Sequence, residues 1–131
     1  VVKRKRLPQS VLSQFNGYFS GVLNSFDLKT ILDLAEAKDY FSDFELQVWK
    51  SIKKIPFGET RTYGWLAREV GRPSAHRAVG QALKRNPLPL IIPCHRIVGA
   101  DGSLCGYSLG IELKRRLLMH ECYFSHLTPC P

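Results

Sequence analysis

The sequence predicts a mainly α domain built around a helix-turn-helix, and three observations lead there. Thr62 and Ser74 each stand where an N-cap would open a short helix, and Gly71-Arg72-Pro73 between those helices has turn chemistry. Apolar residues recur at spacings of three and four both before and after this pair, which is the period of a helix with one buried face. The one run of β-branched residues, Ile91 to Val98, is interrupted by Pro93 and preceded by Pro89, so it is stiff and extended but neither a helix nor a regular central strand.

The elements follow in order. Lys3-Arg4-Lys5-Arg6 opens the chain as a basic run, most simply a solvated end. Val11, Phe15, Phe19, Val22 and Phe26 share one helical face, so a helix is expected over 11–26, weakened by Gly17 and Gly21 at about 1 kcal/mol each relative to alanine. Residues 28–40 read as a further helix or an irregular linker. Ser42 with Glu45 forms a capping box ahead of Phe44, Val48, Trp49 and Ile52, and Pro56 and Gly58 end that helix. Thr62 caps a helix to about Val70 with Leu66 and Val70 inward, and Ser74 caps another reaching about Arg85. Gly99-Ala100-Asp101-Gly102 makes a turn, and 103–110 a glycine-bearing loop. The last helix spans 112–121, with Leu113, Leu117 and Leu118 inward and a Glu112 to Arg116 pair outside.

With 131 residues, 44% hydrophobic and 23% charged, the chain suits one globular domain with a real core. No apolar run approaches the roughly 18 residues of a membrane span, and no secretory signal is visible, so an intracellular, membrane-free protein is expected. The first residue is Val1 rather than methionine, so residues upstream are expected too. A net charge of +8 predicts attraction to polyanions, of which nucleic acid is the commonest. Cys94, Cys105, Cys122 and Cys130 are irregularly spaced in a chain large enough to need no staples, so no disulfide framework is expected. His120, Cys122, His126 and Cys130 match no common finger spacing; neither a metal nor another cofactor is expected.

Chemistry concentrates in Pro93-Cys94-His95-Arg96. A lone cysteine is usually a small buried hydrophobe. An unperturbed thiol, though, is only a few per cent thiolate at neutral pH, and a nucleophilic one needs a base or cation close by; His95 and Arg96 are the adjacent candidates. The helix over 74–85 is also unusual. Ala75, Ala78, Gly80 and Ala82 make it small-sided while His76, Arg77, Lys84 and Arg85 make it basic, so its backbone could come close to an anionic surface.

These same segments carry a resemblance. FGETRTYGWLA, GRPSAHRAVGQALKRNPLPLIIPCHRIVG, ADGSLCGYSLG and ELKRRLLMHE, within about 44–121, are similar to the active-site half of the O6-alkylguanine-DNA alkyltransferases. The resemblance implies a helix-turn-helix, winged-helix-like domain. It also implies single-turnover transfer of an alkyl group from O6-alkylguanine, and from O4-alkylthymine, in double-stranded DNA to Cys94. By resemblance Glu121 orients His95, which accepts the Cys94 proton through a water. Tyr63 assists base flipping and contacts the guanine ring, Ser108 bonds the alkylated oxygen, and the backbone around Cys94 and Ile97 reads the base edge. Asn86 ties the helix-turn-helix to the active site, and Lys114 matches a family lysine without an assigned role. Ala75, Ala78, Gly80 and Arg85 belong to a helix that lies in the minor groove. Arg77 is the residue inserted into the duplex where the base was, an exposed phosphate contact being the plainer alternative. Leu109 stands where many relatives have glycine.

The expected organisation is a remnant of an N-terminal domain and linker over 1–41, the alkyltransferase domain over 42–121 and a tail over 122–131, acting as a monomer. Three other readings stay open. An alkyltransferase-like damage binder would lack the cysteine, a helix-turn-helix regulator leaves Cys94, His95 and Glu121 unexplained, and a cysteine hydrolase would need an oxyanion hole.

Overall fold

The computed structural model describes residues 9–23, 26 and 41–125. The basic run 3–6, the segment 28–40, His126 and Cys130 lie outside the described residues. Among those described are five helices, α1 (Gln9–Phe19), α2 (Asp43–Ile52), α3 (Tyr63–Glu69), α4 (His76–Lys84) and α5 (Ile111–Ser125). They are joined by a 3-10 turn, Cys94–Arg96, and by two short strands, β1 (Arg61–Thr62) and β2 (Ile97–Val98). The strands pair in parallel, Arg61 with Ile97 and Thr62 with Val98. That small ladder ties the entry of the helix-turn-helix to the segment carrying the cysteine.

The capping signals decide where α2 and α3 begin. Ser42 Oγ accepts from Glu45 N at 3.1 Å while Glu45 Oε1 accepts from Ser42 N at 3.3 Å, closing the expected box. Thr62 Oγ1 accepts from Trp65 N at 3.0 Å and opens α3. Ser74 does not cap α4. The N-cap is Ala75, with no side-chain bond, and the chain reaches it through a turn in which Ala75 N donates to Arg72 O at 2.9 Å. The first turn of α4 therefore keeps backbone N–H groups without a side-chain acceptor.

Packing around α2 sets the core. Leu46, Val48, Trp49 and Ile52 of α2, Leu66 and Ala67 of α3, and Val79, Ala82 and Leu83 of α4 are buried together with Ile92, Cys94 and Ile97. Each large aliphatic among them is worth about 1.5–3 kcal/mol on burial. Two polar contacts fix the α2–α4 angle. Trp49 Nε1 donates to Ala82 O at 3.0 Å, and Arg85 Nε lies 3.3 Å from Glu45 Oε2.

Four further expectations change. Helix α1 ends at Phe19 rather than continuing to residue 26, because Gly21 turns the chain at φ +80 with its α carbon against the Phe124 ring. Helix α5 runs on to Ser125 instead of stopping at Glu121. Leu113 is 39% exposed, not inward. The buried stripe of α5 is Lys114, Leu117, Leu118, Glu121 and Cys122, so the helix is rotated to carry two charged residues into the interior. Cys94 and Cys105 are free, whereas Cys122 is disulfide-bonded, contrary to the expectation from spacing. No helix among the described residues is long and apolar enough to cross a membrane.

Candidate active site and DNA-binding face

The cysteine sits at the head of a single 3-10 turn. Pro93 precedes it, and Arg96 N closes the turn onto Pro93 O at 3.0 Å. With about three residues per turn, consecutive side chains leave in different directions. Cys94 faces a cavity of about 540 Å³ whose other walls are Tyr63, Gly80, Leu83, Lys84, Gly106, Tyr107 and Ser108. That volume is in the range of a small-molecule site. It lies where helices α3 and α4 meet the 103–110 loop.

Behind the cavity wall, Asn86 holds the sulfur. Its Nδ2 donates to Cys94 Sγ at 3.1 Å and to Ile92 O at 2.8 Å, while its Oδ1 accepts from Leu88 N at 2.9 Å. Every bonding group of this buried amide is used, so Asn86 cannot swing away from the thiol. The segment it braces is strained, since Leu90 has φ +78.

His95 and Arg96 both turn to Glu121. His95 Nε2 is 2.7 Å from Glu121 Oε1, and both residues are fully buried. Arg96 donates through Nε to both carboxylate oxygens, at 3.1 and 2.9 Å, through a terminal nitrogen to Oε1 at 2.8 Å, and through the other to Ile55 O at 2.8 Å. Tyr18 donates its hydroxyl to Oε1 at 3.0 Å and Gly58 N donates to Oε2 at 3.4 Å. Burial alone would raise the Glu121 pKa, but the hydrogen bonds and charges of His95 and Arg96 outweigh it and hold the carboxyl down to about 2. An ionised carboxylate only accepts, so His95 Nε2 carries the ring proton and Nδ1 keeps its lone pair. That Nδ1 is buried and has no hydrogen-bond partner among the described residues.

Burial also pushes the Cys94 thiol up, against the opposing pull of the Asn86 hydrogen bond, the Lys114 charge and Tyr107. It pushes His95 down, against Glu121. The resting pair is therefore a neutral thiol beside a neutral imidazole. Lys114, only 1% exposed, donates to the carbonyls of Leu104 and, at 3.2 Å, of Gly106. It pins the loop that walls the cavity and is the cation whose charge lowers the Cys94 pKa; Arg96, the expected candidate beside the cysteine, spends its charge on Glu121 instead.

The expected site residues divide by position. Cys94, Tyr63, Ser108 and Gly80 line the cavity; Asn86, Lys114, His95 and Glu121 stand behind it; Ile97 is buried in β2, paired with Arg61. Arg77 and Ala78 are exposed on α4, Ala75 is half-exposed at its cap, and Arg85 leans back to Glu45. Arg77 makes no hydrogen bond or ion pair among the described residues, and a β-carbon added at Gly80 would meet no neighbouring protein atom within 4 Å. Tyr107 and Tyr18 went unremarked in the sequence. Tyr107 is an aromatic in an otherwise small-residue loop, a signal that could have drawn notice; Tyr18 offered none.

Residues 43–123 match the family model of the 6-O-methylguanine DNA methyltransferase, DNA binding domain. The methylated-DNA–protein-cysteine methyltransferase of Methanosarcina barkeri is 45% identical over 120 residues, covering 92% of this chain and 72% of that protein. Its namesake in Mycobacterium bovis is 49% identical over 110 residues, covering 84% of this chain and 62% of the relative. Among solved structures, Mycobacterium tuberculosis OGT in complex with DNA aligns with a TM-score of 0.79 at 46% identity, over 88% of this chain and 67% of that one. Schizosaccharomyces pombe Atl1 bound to damaged DNA containing O6-carboxymethylguanine aligns at 0.56 with 31% identity, over 62% and 77%. The chain thus spans between 62 and 72% of the length of the two methyltransferases. On the matched segment and on the extent of identity, this chain belongs to the 6-O-methylguanine DNA methyltransferase family.

Proposed function

We propose that this protein repairs DNA by moving the alkyl group of an O6-alkylguanine, or O4-alkylthymine, in duplex DNA onto Cys94. The observation that carries the reading is Cys94 Sγ at the wall of a 540 Å³ cavity beside α4, bonded by Asn86 and followed in the chain by a buried His95–Glu121 pair. In the reaction the Cys94 proton passes to His95 Nδ1, directly or through a water, and the sulfur attacks the alkyl carbon. The carbon–oxygen bond breaks as the carbon–sulfur bond forms, and the departing guanine takes up a proton to become the ordinary base. No other reactant is required. The thioether does not turn over, so each molecule acts once.

The roles follow from position. Glu121 holds the imidazole in the tautomer that leaves Nδ1 free, and Asn86 and Lys114 favour the thiolate as it forms. Tyr63 and Ser108 meet the flipped base and its alkylated oxygen at the cavity wall. The backbone at Cys94, stiffened by Pro93, and that leading to Ile97 contact the base edge. Ala75, Ala78 and Gly80 leave α4 thin enough to enter a minor groove, Lys84 and Arg85 supply positive charge, and Arg77, unpaired and exposed, is free to enter the stack in place of the base. A protein with this substrate works where the cell keeps its DNA. The test is stoichiometric transfer: duplex carrying O6-methylguanine should add one methyl group, on the peptide containing Cys94. Cys94→Ala should lose transfer and keep DNA binding. Methylation of another cysteine, or repeated turnover, overturns the reading.

A further inference from the structure

Tyr18 reaches the active site from α1, a helix that lies wholly before the matched segment of 43–123. Its side chain is 1% exposed and its ring packs against those of Phe26, Phe57 and His120, with centroids 5.5, 5.7 and 4.9 Å away. Two hydrogen bonds fix it to consecutive residues of α5. His120 Nε2 lies 2.9 Å from Tyr18 O, and the Tyr18 hydroxyl donates to Glu121 Oε1 at 3.0 Å.

The choice of oxygen matters. Oε1 is the atom that takes His95 Nε2, and it also accepts from Arg96. A carboxylate has roughly four acceptor sites over its two oxygens, so donors crowded onto one oxygen compete for the same electron density. Each further donor stabilises the anion and reduces what that oxygen offers to the imidazole. Tyr18 remains a phenol able to donate, because burial first, and then the Glu121 charge, raise its pKa.

We propose that Tyr18 is a positioning residue of the alkyl-transfer site: its hydroxyl fixes Glu121 Oε1 and thereby tempers the basicity of His95. The proposal rests on the reading of Cys94 as the alkyl acceptor and His95 as its base. The groups facing Glu121 are Tyr18 from α1, the Gly58 N–H from the loop after α2, and His95 and Arg96 from the 3-10 turn. His95 in turn feels Glu121 and the charges of Arg96 and Lys114. Of these, only the Tyr18 hydroxyl can be deleted without removing a charge or a backbone group. Without that donor Glu121 pulls harder on the imidazole proton, and His95 becomes easier to protonate.

Tyr18→Phe keeps the ring and its packing. The direct measurement is the titration of His95 by NMR, which does not depend on alkyl transfer. Its midpoint should rise by about half a pH unit or more, and the acid limb of the Cys94 methylation rate should move up with it, a loss of about threefold on that limb. Duplex affinity should not change. An unmoved midpoint with a lower melting temperature would leave Tyr18 a packing residue and overturn the proposal. If Tyr18→Phe does not fold, the wild type with carbon-labelled tyrosines decides. The Tyr18 ring signal should follow the His95 titration, and a signal that stays still through it overturns the proposal. Wild-type protein that transfers no methyl group refutes the alkyltransferase reading instead, while the His95 titration still judges Tyr18.

Discussion

Glu121→Gln removes one charge from the most densely bonded group among the described residues, and the structure sets the size of the effect. Glu121 is fully buried, and Arg96, itself 7% exposed, spends three of its four contacts on it. A carboxyl held at about 2 rather than its ordinary 4.5 contributes about 3 kcal/mol to stability at neutral pH. Removing one partner of a buried ion pair costs about 3–5 kcal/mol by an independent route, because the other charge stays buried. The two agree. Because the folded pKa is below the unfolded one, this stability is fully present above about pH 5 and is lost as the pH falls through 4 toward 2. The assay is urea denaturation of wild type and Glu121→Gln between pH 3 and 8. The variant should be less stable by about 3 kcal/mol at pH 7, with a melting temperature lower by about 10 °C, and the difference should shrink on acidification. A difference below about 1 kcal/mol at pH 7, or one that does not vary with pH, would refute the account of Glu121 as an ionised anchor.

Three other predictions follow from single contacts. Asn86→Ala removes the donor on Cys94 Sγ, so the thiol pKa, read from the pH dependence of its reaction with a small alkylating agent, should rise, and transfer from duplex should slow by about 10- to 100-fold. Gly80→Ala adds a β-carbon that meets no neighbouring protein atom within 4 Å, so melting should change by only a few degrees while duplex affinity falls by about threefold or more if α4 enters the groove; unchanged affinity would move the DNA elsewhere. Arg77→Ala should slow repair of O6-methylguanine in duplex strongly and hardly alter transfer from the free alkylated base, which has no stack to leave, and equal losses on both would take the flipping role away from Arg77.

The sequence by itself determined the helix-turn-helix and the reactive segment. Ser42 with Glu45, and Thr62, are local devices whose hydrogen bonds span three residues, so their geometry is written within a few positions of the chain. The Pro93-Cys94-His95-Arg96 run was legible as the place of the chemistry but not in its shape, since the expected extended segment is a 3-10 turn over Cys94–Arg96 followed by β2. The small, basic composition of α4 was legible because it too is local. What sequence could not decide was direction. Whether Arg96 serves Cys94 or Glu121 depends on how α5 is rotated against the 3-10 turn, 25 residues away in the chain. That rotation puts Lys114 and Glu121 inside and Leu113 outside, against the rule that apolar residues take the buried face. The buried stripe tolerates two charges only because the Leu104 and Gly106 carbonyls receive one and His95, Arg96, Tyr18 and Gly58 surround the other. Tyr18 stands 103 residues from the carboxylate it bonds. No pattern in the chain announces that contact, because it exists only once α1 has docked on α5 and the aromatic rings of Phe57 and His120 have closed around it.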